Sequence, residues 1–279
     1  MIDLHTHSRA SDGSMTPEEL VLHAGKSGIT VLALTDHDSV SGIEEARTAA
    51  KSEGIIFVPG IELDISWHPG ECHLLGYGVG RTPSDLGPIL LDINAKRRER
   101  NLQIVESMRA GGIDIDLERV EAIADGGTVG RPHLARFLAE SGVVKNVQQA
   151  FDKYLATGRP YYVDRESISL EEGIAIITES GGIPVLAHPL SLYVSWGRIT
   201  EILASFRDKG VRGLEAWHPG TKKRSCERLE ALARDLGMFV TGGSDFHGAA
   251  RPDRKLGKTV DGRDIDDRFY FDELLPALS

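Results

Sequence analysis

Cysteine is nearly missing from this 279-residue chain: Cys72 and Cys226 are the only two, too few for a disulfide framework or a thiolate metal cage. The sequence opens on the short apolar stretch Met1-Ile2-Asp3-Leu4, which reads as a strand and not as a basic and apolar leader, and a cytoplasmic location is expected. Positive charge is in the minority, with 32 Lys and Arg against 42 Asp and Glu and a net charge of −10, which argues against duplex DNA and membrane surfaces as partners. Gly111-Gly112 and Gly242-Gly243-Ser244 lack the strand, glycine spacing and helix of a dinucleotide or phosphate-loop fingerprint. No Ser/His/Asp triad stands out, and the two cysteines are expected to lie apart from the chemistry, so a covalent mechanism is disfavoured. There is no internal repeat and no low-complexity tract.

What is present is a set of nine potential metal ligands, beginning at His5-Thr6-His7 and closing at Asp245-Phe246-His247. A strand places residues i and i+2 on one face, so each pair can reach one ion. Asp12 follows in a Ser-Asp-Gly-Ser turn, and His37 comes after the apolar run Val31-Leu32-Ala33-Leu34. Glu62 follows Ile55-Ile56-Phe57-Val58, His73 precedes Leu74-Leu75-Gly76-Tyr77, and His188 follows Ile183-Pro184-Val185-Leu186-Ala187. A single strand histidine is more often packed or solvated than ligating, but nine such groups at the ends of apolar runs reverse that expectation. Imidazole and carboxylate without thiolate suit Mn²⁺, with Fe²⁺ or Zn²⁺ as alternatives.

Strand patterns alternate with helical ones: helices over Pro17–Lys26 and Ser41–Glu53, the latter with Ser41 as candidate N-cap and Glu44 three residues on. The alternation resumes with a helix near Leu170–Ser180, the Ile183 strand, a helix near Ile199–Lys209, a strand at Gly213–Ala216, a helix at Lys222–Leu236 and a last strand at Phe239. This predicts an α/β protein whose parallel strands carry the ligands at their C-terminal ends, at a barrel mouth. Between Tyr77 and about Tyr162 the strand signal gives way to helices at Pro88–Ala110, Asp116–Ala124, Pro132–Ser141 and Val147–Leu155. The expected organisation is a catalytic barrel over 1–82 and 163–279 with an inserted helical cap domain over 83–162 that contributes to substrate choice. The segment from Lys258 onward, with Phe269-Tyr270-Phe271, is expected to pack on the barrel.

His5-x-His7, Asp12-Gly13, Thr35-Asp36-His37-Asp38, Gly60-Ile61-Glu62, His73, Ala187-His188-Pro189 and Gly243-Ser244-Asp245-Phe246-His247 together resemble the PHP (polymerase and histidinol phosphatase) family of phosphoesterases. The resemblance spans Ile2 to about Gly257. It implies a distorted seven-stranded (β/α)7 barrel holding two or three divalent metal ions: one on His5, His7, Glu62 and Asp245, a second on Glu62, His73 and His188, a third on Asp12, His37 and His247. It further implies that His5, His7, Glu62, His73, His188 and Asp245 form the catalytic set that supplies the attacking hydroxide. Asp36 and Asp38 are candidates to orient ligand imidazoles.

For substrate contacts, Arg131-Pro132-His133 could meet a phosphate at a helix N-terminus, although a plain helix start explains it too. The resemblance favours Arg131 and His133, because relatives with this insertion use the matching segment on the substrate phosphate. Arg159 is a similar candidate against a surface-loop reading, and His218, after the Gly213 strand, could face the site. His23 and His68 read as packing and turn residues, and the run Lys96-Arg97-Arg98-Glu99-Arg100 reads as a solvated helix face. Within the family the pattern most resembles stand-alone enzymes that take the 3′-phosphate from 3′,5′-bisphosphonucleosides such as adenosine 3′,5′-bisphosphate, and relatives that trim short RNA from the 5′ end. A small phosphorylated nucleotide or short oligonucleotide is the expected substrate. A cyclic phosphate, histidinol phosphate, metal-dependent amide hydrolysis and a non-catalytic metal-binding module remain alternatives.

Overall fold

In the computed structural model, which describes residues 1–80, 86–164 and 167–279, seven strands form one sheet in chain order: β1 (Ile2–Asp3), β2 (Val31–Leu34), β3 (Ile56–Ile65), β4 (Cys72–Tyr77), β5 (Ile183–Leu186), β6 (Gly213–Trp217) and β7 (Phe239–Gly242). The sheet closes through a parallel bridge between Thr6 and Phe246, with the His7 N–H donating to the Phe246 carbonyl at 2.9 Å. Leu4, Val31, Ala33, Ile61, Leu63, Leu74, Leu75, Val185, Leu214 and Val240 are buried in the barrel core. Such near-continuous apolar runs are what strands covered on both faces require.

The barrel departs from the expected all-parallel form. β4 runs antiparallel to both β3 and β5, because β3 and β4 are joined by the short Ser66–Glu71 connection, which contains His68, and no crossover helix fits in so few residues. His73 is therefore the second residue of β4, yet lies at the same mouth as ligands that follow the other strands. Glu62 likewise sits inside the ten-residue β3, not at its end.

The barrel helices are α1 (Pro17–Lys26), α2 (Ile43–Glu53), α7 (Leu170–Glu179), α8 (Ile199–Lys209) and α9 (Lys223–Asp235). Reciprocal capping boxes start α1 at Thr16/Glu19 and α7 at Ser169/Glu172, satisfying backbone N–H groups that a first turn leaves unpaired. The box expected at Ser41 and Glu44 does not form: Gly42 is the N-cap of α2, without a side-chain bond, and the Ser41 hydroxyl pairs with Ser39 instead.

Between β4 and α7 lie α3 (Gly87–Ala110), α4 (Leu117–Ala124), α5 (Arg131–Glu140) and α6 (Val147–Ala150), which runs on into a π-helical turn at Phe151–Leu155. They share a second apolar core including Ile104, Val105, Met108, Val120, Leu134, Phe137 and Leu138. α3 belongs to both cores, since Leu90 and Ile93 near its start are buried with the barrel. The boundary expected at 82/83 lies outside the described residues. The end of the chain packs as expected: Phe269 and Leu274 join the barrel core, and Glu273 accepts from the backbone N–H of Val240 in β7 at 3.2 Å; α10 (Leu275–Leu278) follows. Among the described residues no helix is long and apolar enough to cross a membrane.

Candidate metal centre

The bridge that closes the barrel also aims its ligands. His5 and His7 flank Thr6, and Asp245 and His247 flank its partner Phe246, so two i, i+2 pairs face one mouth across a single backbone contact. Thr6 is held from the other side, its hydroxyl donating to Ala33 O at 2.6 Å and its carbonyl accepting from Thr35 N at 2.9 Å. The buried Asp3 carboxylate accepts from the N–H groups of Ser244 and Gly257 at 3.0 and 2.7 Å, pinning the loop that carries Asp245 to β1. Asp38, His188 and Asp245 adopt positive φ of 48°, 22° and 53°. Such backbone costs on the order of 1–3 kcal/mol each and persists where the surroundings impose it.

Glu62 is the centre of the cluster. Its Oε1 lies 2.9 Å from His73 Nδ1 and 3.1 Å from His188 Nε2, and its Oε2 lies 3.2 Å from His5 Nε2, His7 Nε2 and His37 Nδ1. Asp245 Oδ1 is 3.5 Å from both His7 Nε2 and His247 Nδ1, and Asp12 Oδ1 is 3.2 Å from His247 Nε2. All nine sequence candidates fall into four overlapping groups whose donor atoms lie within 4.8 Å of one another: His7, Asp12, His37 and His247; His5, His7 and Asp245; His5, Glu62 and His188; His37, Glu62 and His73.

The donors fit divalent cations. His5 Nε2 and His7 Nε2 point at each other across 3.1 Å, an arrangement in which two neutral lone pairs repel unless a proton or a metal lies between. Nδ1 of His7 is buried without a hydrogen-bond partner, a costly state for a polar atom unless something else engages it. Charge is stored here without metal. Burial pulls the His5, His7 and His73 imidazoles down, but the carboxylates overcome it: Glu215 and Glu62 hold His5 well above its ordinary value, Asp245 and Glu62 raise His7 to about 10, and Glu62 raises His73 to about 9. For His37 burial prevails, lowering it to about 4. Burial opposes ionisation of Glu62, Asp12 and Asp245, yet the surrounding imidazoles keep all three well below the usual carboxylate range.

Behind the cluster stands a residue that the sequence reading missed. Glu215, fully buried in β6, sits 2.9 Å from His5 Nδ1 with one oxygen and accepts the His188 N–H at 2.8 Å with the other. A carboxylate on the far nitrogen fixes the tautomer and aim of a ligating imidazole. The available signal was a glutamate inside the apolar strand Gly213-Leu214-Glu215-Ala216-Trp217. Asp36 and Asp38 do not fill that role. Asp36 accepts from Ser8 N and from the Ser8 and Ser11 hydroxyls, bracing the loop after His7, while Asp38 pairs with Arg97. The basic run on α3 is not a solvated face either: Arg97 and Arg100 are buried, while Lys96 and Arg98 turn outward to Asp92 and Glu121. Three- and four-residue spacing splits the run between two helix faces.

His218 joins the site, its Nε2 3.3 Å from Asp245 Oδ2 and its ring centroid 5.3 Å from that of His188. Arg131 opens α5 and donates to Glu71 at 2.6 Å, beside β4, with its guanidinium 5.5 Å from the Tyr162 ring centroid. His133 is buried, and its Nδ1 accepts the Gly130 N–H at 3.0 Å, so it closes its own helix start; burial lowers its pKa. Arg159 is an exposed loop residue outside the cluster. Cys72 directly precedes His73, but strand alternation turns it into the core, where burial pushes its thiol up to about 12; a nucleophilic thiolate is disfavoured there.

A barrel mouth crowded with imidazole and carboxylate donors, with no activated side-chain nucleophile beside it among the described residues, defines a metal-dependent phosphoesterase. The PHP domain model matches residues 3–164, and the chain belongs to that family. It is 36% identical over 245 residues to a 5′-3′ exoribonuclease of Haemophilus influenzae, covering 88% of this chain and 89% of the relative. It is 35% identical over 261 residues to a 3′,5′-nucleoside bisphosphate phosphatase of Chromobacterium violaceum, covering 93% and 92%. A solved structure from Bifidobacterium adolescentis superposes with a TM-score of 0.87 at 30% identity, over 98% of this chain and 95% of that one.

Proposed function

We propose that the protein removes the 3′-phosphate from 3′,5′-bisphosphonucleosides such as adenosine 3′,5′-bisphosphate, giving the nucleoside 5′-monophosphate and inorganic phosphate. The observation that carries the phosphoester chemistry is the convergence of nine donors, Glu62 among them, at one barrel mouth; the Chromobacterium relative, alike over nearly the whole chain, supports the choice of ester. One Glu62 oxygen faces His5 and His7 and the other faces His73 and His188; His5, His7, Glu62 and Asp245 would hold one cation, Glu62, His73 and His188 a second, and Asp12, His37 and His247 a third. Divalent ions there supply charge neutralisation and a lowered pKa for water, to about 7 in favourable cases. Manganese is the proposed metal, with iron or zinc as alternatives, and the cytoplasm the proposed compartment.

The chain's own side chains bind and orient. Arg131, which opens α5 and pairs with Glu71, would exchange that carboxylate for a phosphate oxygen. His133 keeps that helix end in place, and His218 braces Asp245 from the far side. The helical segment over 83–162 acts as a cap that selects the leaving group, and Arg159 would contribute only by reaching in from its loop. Water supplies the new P–O bond as the bond to the 3′-oxygen breaks, and the proton ends on that oxygen. The Haemophilus relative favours a second reading, 5′-3′ trimming of short RNA, which uses the same cluster.

The test is phosphate release from adenosine 3′,5′-bisphosphate with Mn²⁺, beside a short 5′-phosphorylated RNA and with His7→Ala as control. Release that depends on His7 supports the nucleotidase. Cleavage of the RNA alone moves the function to the exonuclease, and silence on both overturns the substrate choice.

A further inference from the structure

Beyond the donor cluster, the loop after β7 brings two guanidinium groups, Arg251 and Arg254, to the same carboxylate, Asp245. Asp245 divides its two oxygens: Oδ1 faces His5, His7 and His247, whereas Oδ2 faces His218 Nε2 at 3.3 Å, Arg251 Nη1 at 3.4 Å and Arg254 Nε at 3.7 Å. Three donors thus share one oxygen of a carboxylate whose other oxygen is committed to the cluster. The Arg254 side chain is only 10% exposed, and its Nε is buried without a hydrogen-bond partner; its other acidic neighbour, Asp253 at 3.5 Å, is 65% exposed. A buried guanidinium short of acceptors is a place where an anion completes the hydrogen bonding.

The position on the barrel gives the anion a role. Arg131 and Glu71 stand beside β4, while Arg251 and Arg254 follow β7. In a closed ring ordered β1 to β7 these are opposite rims, with the donor cluster between them. Gly220 lets His218 and Arg254 pack close to the backbone there, since a Cβ would lie 3.1 Å from the His218 ring and 3.3 Å from Arg254 Nη2. Resting on the substrate reading above, we propose that Arg254 and Arg251 form a second anionic subsite, which holds the 5′-phosphate of the bisphosphonucleoside while the 3′-phosphate is hydrolysed at the cluster.

The metal-loaded full-length protein and its Arg254→Gln and Arg251→Gln variants are compared on adenosine 3′,5′-bisphosphate and adenosine 3′-monophosphate, which differ only in the 5′-phosphate. The wild type is expected to prefer the bisphosphate in kcat/KM, and Arg254→Gln to reduce that ratio roughly 10- to 100-fold, mainly through KM, as loss of a charge-assisted pair predicts. Arg251→Gln is expected to reduce it less, its side chain being 42% exposed, and it carries the test if Arg254→Gln does not fold. A wild-type ratio near one, or a ratio unchanged in folded variants, overturns the subsite. If the wild type hydrolyses neither compound, the substrate reading fails separately. Both ligands, then unreactive, are titrated calorimetrically, and the ratio of their Kd values with and without Arg254 decides the subsite by the same criterion.

Discussion

At the scale of single residues, a buried cluster of opposite charges is held together by partners one layer further out. Glu215→Gln keeps size but removes the charge behind His5, and should weaken metal binding about 10- to 100-fold. Metal titration of the purified variant checks this, and unchanged affinity would reduce Glu215 to a packing residue. Protons and metals compete for the same nitrogens. With His7 raised to about 10 and His73 to about 9, both imidazoles carry protons at pH 7 in the metal-free protein and must lose them to ligate. Metal binding should therefore release protons and strengthen as pH rises toward 9 to 10. The sign for metal-free stability is the reverse: the His7 contribution is complete below its unfolded value of 6.5 and is lost as pH rises through about 10. Calorimetry in buffers of different ionisation enthalpy reports the release, and a buffer-independent heat of binding would contradict it.

At the scale of elements, the site depends on how closely β1 and the loop after β7 approach. Gly243 is the contact point, since a Cβ there would lie 2.2 Å from His5 Cβ and 2.7 Å from Glu215 Oε1. Gly243→Ala should cost at least about 1–3 kcal/mol and loosen both i, i+2 pairs together. Denaturant unfolding measures the first and metal content the second; a stable, fully loaded variant would show that the seam has slack. Hydrophobic period located most elements here, and α1 and α8 match their expected bounds. The inversion of β4 escaped that reading, because an apolar run has the same composition in either direction and only the length of its connections restricts its course.

At the scale of the whole molecule, α3 joins two cores, with Leu90 and Ile93 in the barrel and Ile104 and Met108 among the helices. Ile104→Ala, at a fully buried position, should cost about 2–5 kcal/mol and lower the single unfolding transition of the chain. Metal stoichiometry should persist in the folded variant, because no donor of the cluster lies within residues 86–164. Separate melting of the helical core, with the barrel transition unmoved, would show that α3 does not couple them.

The sequence by itself determined the barrel class, the residue types that converge at its mouth and the run of helices between β4 and α7, because donor chemistry is written in residue type and apolar period is a local property. Tertiary structure alone decided that Glu215, 210 residues from His5, stands behind it, that Arg97 turns inward to Asp38, and that Arg254 lies buried beside Asp245. A charged residue carries no mark of the side on which it will meet its counter-charge. That is fixed only when strands distant in the chain close into a barrel and each buried charge must find a partner within a few ångströms.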